Sequence, residues 1–227
     1  ILLNKLSNNL VFYDTETTGI HKDFSQIIQC GSILTDNLLN IKDQQNISSA
    51  PLPWIIPQPK AMLTNKKINS FKSNVSHYQM MKDIQHQWKN WSADVPAIFI
   101  TYNGHNFDEE LYRRQFFWNL LDPFITNTNG NGRSDLLMLT RLFSQLFPKM
   151  IDFEINTNGY PVCSLSSVAE RIGVDTANAH DALSDCIFMI ELLKFFHSSS
   201  EKLVTDFLSQ GTKQGCAEFL RSTKVIG

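Results

Sequence analysis

The stretch LVFYDTETTG, residues 10–19, ends an apolar run with two carboxylates, Asp14 and Glu16, two positions apart. On a strand, side chains at i and i+2 point to the same face. Two like charges held that close repel, so a cation, a basic side chain or a shared proton has to offset the cost. Three other places combine polar residues with the end of an element. Asn103-Gly104-His105-Asn106-Phe107-Asp108 joins a buried-type strand to a helix, at a sheet edge where sites tend to form. HDALSD, residues 180–185, opens a long amphipathic helix, and Arg133-Ser134-Asp135 opens another. Taken singly, Asp108, Asp135 and Asp181 each suit the first turn of a helix through its dipole, and for Asp135 and Asp181 that reading is preferred to catalysis.

The elements that must position these residues follow from pattern. Residues 10–13 and 27–35 read as strands, with a turn signal at Asp36-Asn37 and a return strand over 38–44. Residues 51–59, PLPWIIPQP, are too rich in proline for a regular element. Helical spacing over 71–91 puts Tyr78, Met81, Ile84 and Trp88 on one buried stripe. AIFITY, 97–102, is a buried strand leading into the helix DEELYRRQFFWNLL, on which Phe116-Phe117-Trp118 reads as core packing. Further helices are expected over 134–147, 164–172 and 181–196. Strands first, then strands alternating with helices, predict an α/β fold: a mixed sheet of three antiparallel strands followed by parallel ones, flanked by helices. The domain boundaries expected are 1–197, with Ser198-Ser199-Ser200 as a hinge, then a helical linker over 198–227.

Composition narrows the classes. The chain has 227 residues, is 42% hydrophobic and carries a net charge of −2, so nucleic acid would be held by a local site rather than by overall charge. No stretch is long and apolar enough to span a membrane, and no secretory signal is visible. Cys30, Cys163, Cys186 and Cys216 form no CxxC pair and read as four reduced thiols, the pattern of a cytoplasmic protein.

The ordered set DxE on the first strand, NxFD after a later strand and HxxxxD on the last long helix resembles the three motifs of the DEDDh family. That family comprises 3′→5′ exonucleases with a ribonuclease H-like fold. Asp14, Glu16, Asp108, Asp185 and His180 match its five letters. Within the family the pattern is most similar to the exonuclease domain of the bacterial exonuclease I group. FYDTETTG, PQPKAMLTNKKI, YNGHNFDEELYRRQFFWNLLDPF, RSDLL, ANAHDALSD and the tail EKLVTDFLSQGTKQGCAEFL all carry the likeness. One departure is Asn65-Lys66-Lys67-Ile68, where that group has a GITP-like turn.

The resemblance implies a hydrolase that shortens single-stranded DNA from its 3′ end to nucleoside 5′-monophosphates, in DNA repair or recombination. An exoribonuclease of short RNA and a polymerase proofreading exonuclease are the alternatives. It implies two Mg²⁺ ions, with Mn²⁺ as substitute, and hard carboxylate ligands suit both metals. Asp14 would bridge the ions, Glu16 and Asp185 would complete one site, and Asp108 would support the other. His180 would be the general base, and a free imidazole titrates near pH 6.5, which suits that task. Thr15 and Thr17 would face the terminal 3′-OH, although strand propensity explains them equally. Met62 and Leu63 would wedge between the last bases, with Phe107 lining the end pocket. Asn103 and Asn106 would position phosphate or metal waters, or simply close a turn. Lys66, Lys67, Arg113, Arg114 and Arg133 either contact phosphate or serve solubility. No nucleotide cofactor is implied. Further domains that embrace the strand, and through them a single-strand-binding protein partner, would lie beyond Gly227.

Overall fold

The computed structural model describes residues 7–222. Residues 1–6 and 223–227, the ends of the two expected segments, lie outside the described residues. Five strands form one sheet in the order β3-β2-β1-β4-β5. They are β1 (Asn9–Thr17), β2 (Ile27–Thr35), β3 (Ile41–Ser48), β4 (Ala97–Thr101) and β5 (Gly132–Asp135). β1, β2 and β3 pair antiparallel, whereas β4 runs parallel to both β1 and β5. The helices are α1 (Pro59–Asn65), α2 (His77–Trp91), α3 (Asp108–Trp118), α4 (Leu136–Leu146), α5 (Leu165–Arg171), α6 (Ala182–Ser199), α7 (Glu201–Ser209) and α8 (Lys213–Ser222).

The sheet separates two cores, and β1 alternates between them. Leu10 and Phe12 pack with α4 and α6 residues such as Leu139, Phe143, Met189 and Phe196. Val11 and Tyr13 pack on the other side with Trp88 of α2 and Tyr112 and Phe116 of α3. Asp14 and Glu16 therefore continue the Leu10 and Phe12 face, toward α6, at the point where the apolar contacts give out. Among the described residues no helix is long and apolar enough to cross a membrane.

Several elements differ from the sequence reading. The return strand begins at Ile41, because the Asp36 carboxylate accepts from the backbone N–H groups of Leu38 and Asn40 and closes a longer turn. The helix expected from residue 71 starts at His77, where Ser76 caps it by accepting from Gln79 N at 3.1 Å. Tyr78 lies off the buried stripe, half exposed, and Met80 takes its place in the core. Pro59 nucleates a short helix after the proline-rich loop, since a helix's first position tolerates its missing N–H. Residues 132–135 form a fourth-to-fifth strand pairing before α4, too short for alternation to reveal. α6 is apolar round most of its circumference rather than amphipathic, because it lies beneath α5 and α7 as well as on the sheet. Of Phe116-Phe117-Trp118 only Phe116 is core; Phe117 is 69% and Trp118 45% exposed. The serine run continues α6 to Ser199, and α7 sends Val204 and Leu208 into the first core.

Candidate active site

β1 and β4 run parallel and side by side, so their carboxyl ends open at one edge of the sheet. Such an edge is where ligands bind in open α/β sheets. β1 delivers Asp14 and Glu16 there, the turn after β4 delivers Asp108 as the first residue of α3, and the first turn of α6 delivers Asp185. One carboxylate oxygen from each of Asp14, Glu16 and Asp185 lies within 4.8 Å of the others. The β1–β2 register shifts between Glu16 and Thr17, an irregularity of the kind that re-aims side chains beside sites.

α6 approaches this closely because Gly31 stands opposite Asp14 on β2. A Cβ at position 31 would lie 2.3 Å from the Leu183 backbone nitrogen. Two carboxylates deeper in the fold hold the other parts in place. Asp135 accepts from Asn103 N at 2.7 Å and His105 N at 3.2 Å while capping α4 through Leu137 N, so it fixes the turn before Asp108. Glu109 accepts from Tyr13 Oη at 2.8 Å and Thr126 Oγ1 at 2.7 Å, and Arg133 reaches it at 2.7 Å. That buried network pins the start of α3. Asp135 is thus the helix cap expected from sequence, with a second task that the sequence did not reveal.

The electrostatics are those of a site short of positive charge. Burial, then Asp108, Asp185 and Glu16, push the Asp14 carboxyl well above its usual range. Glu16 is pushed up to about 8, by burial first and then by Asp185, with Lys67 pulling downward. Burial also raises Asp108, and it raises Asp185 against the N–H bond that Asp185 accepts from the His180 main chain. Lys67 is anchored by Asp181, with Nζ to Oδ2 at 2.7 Å. Burial favours the neutral form of Asp181, but the donors Gln29, Lys67 and Ser184 N outweigh it and hold the carboxyl down to about 2. One ammonium beside four carboxylates leaves a deficit. Half-buried, hard, convergent oxygens with that deficit fit a divalent cation.

The other residues singled out from sequence fall in several places. His180 is exposed at the rim, in the left-handed region with φ 67°. Thr15 and Thr17 are buried on the face of β1 away from Asp14 and Glu16, and the Thr17 hydroxyl donates to Gly19 O at 2.7 Å. Met62 and Leu63 ride on α1, which docks on the end of β1: Asn65 Nδ2 donates to Thr17 O at 3.0 Å and Gln58 N to Thr18 O at 2.7 Å. Leu63 is 79% exposed. Asn103 and Asn106 are exposed in the turn, and Phe107 is half-buried. Sequence reasoning missed Gly31 altogether and gave Gln58 and Asn65 only as part of a resembling loop, because their contacts lie between distant segments. Lys67 carried a signal, as charge in place of a turn, but its partner Asp181 lies 114 residues away.

A family model described as Exonuclease (RNase_T) matches residues 11–193. The chain is 32% identical over 216 residues to exodeoxyribonuclease I of Buchnera aphidicola subsp. Schizaphis graminum, covering 93% of this chain and 44% of that protein. It superposes on E. coli exonuclease I in complex with a dT13 oligonucleotide with a TM-score of 0.84 at 25% identity, covering 93% of this chain and 46% of that one. The zinc-ion-bound form of the E. coli exonuclease I–single-stranded DNA complex gives a TM-score of 0.79 at 26% identity, with 87% and 42% covered. The chain thus spans under half the length of each of these relatives. The sheet order, the ribonuclease H-like fold and the matched span lead to one conclusion: the chain belongs to the exonuclease family.

Proposed function

We propose that this domain hydrolyses single-stranded DNA from the 3′ end, releasing nucleoside 5′-monophosphates. The observation that carries the reading is the convergence of Asp14, Glu16 and Asp185 within 4.8 Å, beside buried Asp108, at an open sheet edge. Asp14, Glu16 and Asp185 would hold one Mg²⁺, and Asp14 with Asp108 a second; when bound, such ions stabilise charge on the attacking and leaving oxygens of an in-line displacement. His180, at the rim, takes a proton from the attacking water on a ring nitrogen, and the 3′ oxygen of the preceding nucleotide leaves. α1 stands over the end of β1, where Met62 and exposed Leu63 separate the terminal bases by apolar contact, which tolerates any sequence. Exodeoxyribonuclease I relatives and E. coli exonuclease I solved with oligodeoxynucleotides favour DNA over RNA.

The test is a time course on 5′-labelled single-stranded DNA and RNA of one sequence, with Mg²⁺, with Mn²⁺ and with chelator. A metal-dependent ladder that shortens from the 3′ end on DNA is expected. Faster shortening of RNA would transfer the assignment to an exoribonuclease, and no cleavage of either by folded, metal-loaded protein would overturn it.

The acidic cluster also fixes a pH dependence of stability. The folded protein binds more protons than the unfolded chain wherever carboxyl pKa values are raised, so stability falls as pH rises from about 4 toward 8. The full cost is present above the raised values, and a bound divalent cation removes it. A cost of a few kcal/mol predicts that the metal-free protein melts roughly 5–15 °C lower at pH 8 than at pH 5, with Mg²⁺ restoring most of the loss at pH 8 and little at pH 5. Equal melting temperatures with and without Mg²⁺ at pH 8 would show that the cluster holds no metal.

A further inference from the structure

Two segments far apart in the chain flank the acidic cluster. One is α1 and the residues after it, fastened to the end of β1 by Asn65, whose Oδ1 also accepts from Lys67 N at 3.1 Å. The other is the turn that carries His180 into α6. It is fastened to β2, because Gln29 Nε2 donates to Asp181 Oδ2 at 3.0 Å. Among the described residues a single hydrogen bond joins residues 59–72 to residues 176–186: Lys67 Nζ to Asp181 Oδ2, at 2.7 Å. Burial raises both the Glu16 and the Asp185 carboxyl, and the same ammonium lies close enough to pull both the other way.

An exposed lysine–aspartate pair contributes little, since two long side chains must be ordered in water. This pair is shielded, with the side chains 19% and 31% exposed, and both of its ends are ordered by other bonds. Lys66 ends α1 in the left-handed region with φ 54°, and Lys67 follows directly, so the ammonium reaches out from a fixed backbone. Asp181 does not need the lysine to start α6, because its Oδ1 caps the helix by accepting from Ser184 N at 3.2 Å. What the lysine alone supplies is a fixed spacing between the two segments. In the proposed reaction α1 holds the strand end through Met62 and Leu63, and His180 must reach the water that attacks it. An error of about 1 Å in such an alignment costs on the order of 10²-fold in rate.

Resting on the proposed activity, we infer that Lys67 is a positioning residue for cleavage: through Asp181 it braces the α1 segment against the His180 turn and so aligns the strand end with the base. It acts through Asp181 and not by holding phosphate.

The experiment measures kcat and KM on 5′-labelled single-stranded DNA with Mg²⁺ for the parent, Lys67→Met, Lys67→Arg, Asp181→Asn and the double variant Lys67→Met/Asp181→Asn. Lys67→Met keeps the apolar stem and is expected to lower kcat roughly ten- to a hundredfold, with KM within about twofold of the parent. Lys67→Arg, which can still pair with Asp181, is expected to recover most of the rate. Asp181→Asn keeps a capping oxygen and is expected to lose as much as Lys67→Met, and the double variant no more than either single one. In chelator, backbone amide exchange over residues 62–68 and 176–185 is expected to be several-fold faster in Lys67→Met and Asp181→Asn, but not in Lys67→Arg. A lysine that held phosphate would instead raise KM in Lys67→Met and leave Asp181→Asn near the parent. That pattern, a parent-like kcat in Lys67→Met, no recovery in Lys67→Arg, additive losses or unaltered exchange would each overturn the inference. If the parent cleaves DNA and any of these is found, this inference alone fails. If the parent does not cleave single-stranded DNA, the proposed activity fails and this inference with it.

Discussion

Asp14→Asn is expected to remove metal-dependent cleavage and at the same time to raise the melting temperature of the metal-free protein. Asp14 stands at the centre of the cluster, with Asp108, Asp185 and Glu16 all acting on it. As an anion it is the residue best placed to hold cations, and in their absence the most heavily opposed. An amide of the same shape keeps the packing and carries two N–H donors that neighbouring carboxylates can accept from. Losing the charge clamp on the reacting oxygens forfeits several kcal/mol of transition-state stabilisation, roughly a 10³- to 10⁵-fold fall in rate. Relief of repulsion in the metal-free fold is worth about 1–2 kcal/mol at pH 8, or some 2–8 °C in melting temperature. Both halves are read on one protein: single-turnover cleavage with Mg²⁺, and melting at pH 8 in chelator. The added Mg²⁺ that stabilises the parent leaves Asp14→Asn unmoved. A variant that cleaves normally, or that melts lower in chelator, contradicts the assignment.

The same cluster shows why some of the site was legible in the sequence and some was not. Asp14 and Glu16 are read from the two-residue period of a strand, whereas Asp108 and Asp185 stand at helix starts and gain weight only from the ordered motif set that resembles the DEDDh family. These are local signals. What draws them together is not local. Gly31 is needed because α6 crosses β2 at one point, and nothing around Gly31 in the chain announces that crossing. Lys67 meets Asp181, and Glu109 meets Arg133 and Thr126, only after the sheet has closed. The aromatic residues misled for the same reason. Tyr78 fits the helical stripe of α2 and Trp118 that of α3, yet both lie half exposed at the edge of their helices, where the packed face ends. Periodicity identifies a face but not how far its partner extends along it.

His180→Ala should cost about 10²–10⁴ in the rate of the chemical step, the usual contribution of a positioned general base, while leaving metal-induced stabilisation intact. The backbone complicates the simple substitution. His180 has φ 67°, and its N–H is donated to the Asp185 carboxylate, so the residue also shapes the turn that leads into α6. Alanine in the left-handed region is strained by roughly 1–2 kcal/mol, and a turn that relaxes would move Asp185 as well. His180→Asn separates the two roles. Asparagine tolerates positive φ, so the turn and the bond to Asp185 survive, but its amide cannot take a proton. If the imidazole is the base, both variants lose activity alike and both keep the parent's melting shift with Mg²⁺. If His180→Asn cleaves near the parent rate, the residue acts through the turn, and the proton must go elsewhere. A loss of the Mg²⁺ shift in both variants would instead make His180 part of the metal site, which its exposed position at the rim argues against.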